Sequence, residues 1–271
     1  MFTTSIHLTV DSSGWKAVLP AAARSAGWDY LFKIQDHVVS IDRNCGPTTL
    51  EVYPNEGHTL EEAKAILAVA VYAALTDLTN FLPLTPDEHL AYLHQIIEIT
   101  SLNFEPDLFS QYLQAYLVYA VECRVNHSLN KIHRKHDLSW FDEKKIQVVN
   151  AKRSLEFIPL ASLTITPWEK TRRVKFCQAT IEVIEAYQVK VRWINYQIGV
   201  IQADAENIAE ELFDLLRSDA FSVSEAFDYT MDYLEDSQRE SREIYARFSS
   251  SDREEVIETT KDAIALTPLT K

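Results

Sequence analysis

After Pro167 the chain runs for about fifty residues, to Arg217, with no further proline and with a single glycine, Gly199. Nothing in that stretch forces the backbone out of a helix. Its seam residues recur at steps of three and four: Val174, Cys177, Ile181, Ile184, Gln188 and Val191, then Ile194, Ile198, Ile201, Ala205, Ile208, Leu212 and Leu215. This is a heptad pattern with one stammer-like slip at Val191, Ile194 and Ile198. One helix over about 167–217 is therefore expected. At 1.5 Å per residue it would span roughly 75 Å, more than the ~50 Å diameter of a compact globule of this chain's size. Either it projects as a coiled-coil arm, or it kinks near Gly199 and folds back into a bundle.

Other helices announce their starts. A capping box sets Ser or Thr at the N-cap and Glu three residues on, so that two unpaired backbone donors are satisfied reciprocally. The pattern occurs at Thr59 and Glu62, Thr85 and Glu88, Thr166 and Glu169, Ser222 and Glu225, and Ser251 and Glu254. Pro86 and Pro167 sit at the first helical position, where a missing N–H costs nothing. Ser139 with Asp142, and Glu105-Pro106-Asp107, give two more starts. About seven helices are expected beyond residue 57, one of them with a face of Phe109, Tyr112, Tyr116, Ala120 and Cys123.

Four of the five glycines fall in the first sixty residues, and there the pattern changes. Stretches 5–10, 30–34, 38–41 and 49–53 alternate or are β-branched and aromatic, as strands are. Residues 15–26 are alanine-rich and stop at Gly27, as a helix with a glycine C-cap would. The expected fold class is α+β, predominantly α: a small β-α-β-β-β segment over 1–56, then a multi-helix domain over 57–271.

The same glycine shortage removes enzyme classes. No G-x-G-x-x-G, no G-x-x-x-x-G-K-[ST] and no G-x-S-x-G occurs. These are the arrangements that let a backbone approach a phosphate or expose a serine nucleophile. Cys45, Cys123 and Cys177 form no C-x-x-C pair, so buried free thiols in a reducing, cytoplasmic setting are expected. The first residues carry no basic stretch ahead of an apolar run, so no signal peptide is expected. Stretch 63–82 is apolar but carries Thr76, Asp77, Thr79 and Asn80, so a core helix is expected and membrane insertion is not.

Net charge is −14, yet residues 124–175 hold 12 Lys/Arg against 5 Asp/Glu, a local +7. Lys144, Lys145, Arg172 and Arg173, with Trp140, Phe141 and Trp168 as stacking faces, are the candidate site for a polyanion or nucleic acid. An internal or partner-facing ion-pair surface is the other reading of the same segment.

His127, His133, His136 and Asp137 are the one histidine cluster. The His136-Asp137 dipeptide resembles the one at the centre of the HD-type metal phosphohydrolases. That resemblance implies an upstream histidine, His89 or His94, and a downstream aspartate as co-ligands. Arg134 and Lys135 beside the ligands oppose a divalent cation, so no metal and no cofactor is expected. Glu182 with Glu185, and Glu206, Glu210 and Asp214, share helix faces as solvated carboxylates. With the enzyme signatures absent, the expected function is non-enzymatic: an adaptor, regulatory or assembly protein that contacts a protein partner or a second copy. Its candidate interaction residues are Ile181, Ile184, Val191, Ile194, Ile198 and Ile201, with Tyr112, Tyr116, Tyr119, Tyr187, Trp193 and Tyr196 as aromatic faces.

Overall fold

The computed structural model describes residues 7–11, 14–18, 30–34, 37–42, 49–53, 59–75, 90–91, 93–94, 104–159 and 165–266. From Leu60 onward it is a helical bundle. Its helices with defined bounds are α1 (Leu60–Leu75), α2 (Pro106–Leu129), α3 (Ser139–Phe157), α4 (Pro167–Ser218), α5 (Ser224–Tyr245) and α6 (Ser250–Ala265).

The expected α+β class, built on a β-α-β-β-β segment, is overturned. Residues 14–18, where the expected helix should begin, are extended: β2 (Gly14–Val18) lies between β1 (His7–Asp11) and β5 (Thr49–Tyr53) in an antiparallel ladder. With β3 (Tyr30–Ile34) and β4 (His37–Asp42) the order is β1-β2-β5-β4-β3, and no helix interrupts the described residues before Leu60. A strand with partners on both sides satisfies its backbone groups in the ladder, which outweighs the modest helix preference of a lone Ala17. The alanines at 21–23 that suggested the helix lie outside the described residues.

By compactness the chain divides into two units: one is Met1–Ser128 with Asn207–Tyr233, the other Leu129–Glu206 with Leu234–Lys271. In the first, α1 buries Ala65, Ile66, Leu67, Ala68, Val69 and Tyr72. The α2 face is buried at Phe109, Tyr112, Tyr116 and Ala120, but Cys123 is exposed. No helix among the described residues is long and apolar enough to cross a membrane.

The second unit has its core along α4. Cys177, Ile181, Ile184, Val191, Ile194 and Ile198 cluster with Phe141, Val148 and Leu155 of α3 and with Ile244, Phe248, Val256 and Ala263 from α5 and α6. Cys177 is buried, and that burial raises its thiol pKa.

The helix starts follow the caps in part. Thr59 and Glu62 form the reciprocal box, with the Thr59 N–H donating to the Glu62 carboxylate and the Glu62 N–H to the Thr59 hydroxyl. At α4 only half forms: the Glu169 N–H donates to Thr166 Oγ1, while the Glu169 carboxylate takes Arg173 instead. At α6 the box is made by Ser249 and Asp252, two residues ahead of the expected Ser251. Ser222 is not at the N-cap of α5: the helix begins at Ser224, with Val223 ahead of it, and the Ser222 hydroxyl donates to the Asp219 carbonyl. The start at Thr85 lies outside the described residues.

α4 is helical without interruption through Gly199, so the fold-back alternative is excluded. A Cβ at Gly199 would lie 2.9 Å from Lys135 Nζ and 3.0 Å from its Cε, atoms at the free end of a flexible side chain. Gly199→Ala is therefore expected to stabilise the protein by up to about 1 kcal/mol, the cost of a mid-helix glycine, as read from urea unfolding.

Candidate functional site

The connection from α2 to α3, residues 130–138, carries His133, His136 and Asp137 of the histidine cluster and runs as an irregular strap on α4, while His127 lies on α2. Three polar residues of the α4 seam hold it and the first turn of α3 that follows it. They stand seven apart, at Gln188, Asn195 and Gln202, so they fall on one line along the helix with a rise of about 10 Å between them. Gln188 Nε2 donates to Asp142 Oδ1 at 2.8 Å. Asn195 engages the His136 backbone twice: its Oδ1 accepts from the His136 N–H at 2.7 Å, and its Nδ2 donates to the His136 carbonyl at 2.9 Å. Gln202 Nε2 donates to the His133 carbonyl at 3.2 Å. From α5, Ser241 Oγ accepts the His133 N–H. The buried Asn195 amide and the half-buried Gln202 amide thus supply partners that a strap outside regular structure would otherwise lack.

These residues also repair the apparent slip. With Asn195 and Gln202 included, the seam reads Val191, Asn195, Ile198, Gln202, Ala205 without a missed step. A reading confined to apolar residues skipped the two positions that hold the strap.

The strap's own side chains serve structure. The His136 and His133 imidazoles stack on the Tyr245 ring at centroid distances of 3.8 and 4.8 Å. His136 Nε2 donates to the Tyr245 carbonyl at 3.2 Å, which places the ring proton on that nitrogen. The Asp137 carboxylate accepts from the Ser139 N–H and hydroxyl, at 2.9 and 2.7 Å, and so fixes the start of α3. Those same bonds hold its pKa below the usual carboxylate range. Arg134 and Lys135 are exposed, and the end of the Lys135 side chain lies against Gly199 of α4. Among the described residues no three His, Cys, Asp or Glu side chains converge as a metal site would require; His89 lies outside those residues.

Burial lowers the His136 pKa; the bond to Tyr245 opposes the shift, while Arg253 and His133 add to it. The folded value lies below the unfolded one, so acidification protonates the unfolded chain first. Stability should fall as pH drops below about 6.5, the ordinary histidine value. Urea midpoints at pH 7.5 and 5.5 test this: His136→Phe should flatten the dependence, and equal slopes for both proteins would contradict it.

The other sequence candidates are dispersed. Lys145 pairs with Glu185, Lys144 lies over the Trp140 ring, and Arg172 lies over Trp168. Arg173 binds Glu169 and the Leu266 carbonyl at the end of α6. The Glu185 that holds Lys145 lies thirteen residues, about 20 Å of helix, from Arg172. The four cations therefore hold partners within the chain instead of converging on one anion site. Ile181, Ile184, Val191, Ile194 and Ile198 are all buried in the chain's own core, and Ile201 packs against it half-buried. Tyr187 donates to Glu255 at 2.7 Å, and that bond, first among its causes, pushes its pKa up to about 12.

No protein-family model, curated protein or solved structure matches this chain.

A shallow pocket of about 130 Å³ is lined by Leu129, Asn130, Ile132, Arg134, Gln202 and Glu206. It is well below the roughly 300–1,000 Å³ of small-molecule sites. A more telling surface lies on the opposite side of α4 from the core. There Val189 is 62% exposed, Trp193 49%, Tyr196 70% and Val200 43%, with Ala186 and Ala203 exposed at either end. These six stand at steps of three and four, a second heptad seam on the solvent side of the same helix. Trp193 and Tyr196 belong to the aromatic faces expected from the sequence; the valines that join them into a stripe do not.

Proposed function

We propose that this chain is a non-enzymatic, cytoplasmic protein-binding or assembly protein whose contact surface is the outer face of α4. The observation that carries this reading is the exposed stripe of Val189, Trp193, Tyr196 and Val200. Apolar side chains scattered singly over a surface need no explanation, but a contiguous, aligned set including Trp and Tyr has the composition of an interface centre. A rigid helix anchored along its other face also presents these groups with little ordering cost on binding.

A photo-crosslinking amino acid at position 196, introduced in the cell of origin, tests this. A discrete protein adduct is expected that is lost on adding Val189→Asp. The same probe at Glu210, elsewhere on α4, should give none. The absence of any adduct at 196 would overturn the proposal.

A further inference from the structure

We infer that the partner on this stripe is a second copy of the chain, docked antiparallel across a two-fold axis near the middle of α4. The inference rests on the reading of that face as a contact surface and adds the occupant. Read from one end the stripe is Ala186, Val189, Trp193, Tyr196, Val200, Ala203; read from the other it has the same order of sizes. A two-fold interface requires this self-complementarity, because residue i meets j of the other copy wherever j meets i. An antiparallel copy sets Ala186 opposite Ala203, Val189 opposite Val200, and Trp193 opposite Tyr196. The small residues at the ends let the helices approach, and the two aromatics fill the centre.

Charge points the same way. The chain carries −14 overall, a field in which two copies repel. Yet residues 186–203 contain no Asp or Glu, while Glu182 and Glu185 precede them and Asp204 and Glu206 follow. Glu185 is held by Lys145, and Lys190 by Asp252. The stripe thus occupies a stretch free of carboxylates within an acidic protein.

The area is adequate. At roughly 150–250 Å² for each aromatic side chain, with the smaller valines added, the exposed parts of these four residues amount to several hundred Å². That is on the order of the apolar half of the ~800 Å² each partner contributes to a standard interface.

Sedimentation velocity on the full chain should show a reversible dimer at tens of micromolar. Tyr196→Glu should weaken it at least about 30-fold, the mark of a hot-spot residue, and Val189→Glu should do the same. Both side chains are mainly exposed, so the thermal midpoint of the monomer should not move. In a Cys45→Ser, Cys123→Ser background, mixing Ala186→Cys with Ala203→Cys should give a disulfide dimer under mild oxidation. Neither variant should crosslink alone, because antiparallel docking separates like positions by about 25 Å. A wild type that stays monomeric to ~200 µM overturns the inference. So does a dimer insensitive to both Glu variants, or crosslinking by each cysteine alone. A monomer that still forms a photo-adduct with a different protein at position 196 removes the second copy but keeps the contact surface, whereas a monomer with no adduct removes both.

Discussion

Ile198→Asp is expected to unfold the helical bundle instead of dissociating an assembly. Ile198 is fully buried, at 0% exposure, among Phe141, Val191, Ile194, Ile244 and Phe248. A carboxylate there has no cationic partner in the cluster. It must be desolvated or protonated, and the methylenes it replaces leave a void. The combined cost should exceed about 4 kcal/mol, in the range reserved for buried unpaired charges and core cavities. That is most of the stability of a typical domain, about 5–15 kcal/mol. Ellipticity at 222 nm should fall sharply at 25 °C. Ile201→Asp is the control: this side chain is only half-buried, and its charge can reach water at a smaller cost. An Ile198→Asp protein that retained full helicity and merely became monomeric would show that the inner seam is shared between chains.

Asn195→Leu should be the most damaging change that conserves volume. Leucine fills the same space in the seam but cannot bond, which leaves the N–H and the carbonyl of His136 without the partners described above. Stranding a buried polar group costs about 1–3 kcal/mol, so the two together should cost roughly 2–5 kcal/mol. The effect should also be local. Hydrogen exchange of the His136 amide should rise to the rate of an exposed loop, while amides in the middle of α4 keep their protection. Gln202→Leu removes one bond, to the His133 carbonyl, and should cost less than half as much. Equal stability of Asn195→Leu and wild type by urea unfolding would show that the strap does not depend on the seam.

Much of the helical part was legible in the chain because its signals are local. A capping side chain bonds within its own turn, so Thr59 with Glu62 and the half-box at Thr166 could be read three residues at a time. The extent of α4 followed from the absence of breakers between Pro167 and Arg217. Where two nearby serines competed, local rules were not enough. Ser251 has the better consensus with Glu254, yet Ser249 with Asp252 makes the box, because the chain arrives from Phe248, which is packed in the core. In the N-terminal part the local composition of residues 15–26 pointed to a helix, and pairing with β1 and β5 made residues 14–18 the strand β2 instead.

The sequence by itself determined that a helix of about fifty residues follows Pro167, where some of the other helices begin, and that one face of the long helix is buried; that it runs unbroken through Gly199 was decided by the structure. It could not say what covers that face. Hydrophobic periodicity reports removal from water, and the same isoleucines would suit another chain or the chain's own helices. The tertiary structure decided for α3, α5 and α6. It also decided the place of Asn195 and Gln202, which the seam read from the sequence does not include. A buried amide is tolerated only where backbone groups lacking a helix or sheet meet it, and those groups come from a strap some sixty residues earlier in the chain. With the inner seam taken up in this way, the outer stripe of Val189, Trp193, Tyr196 and Val200 is left facing water.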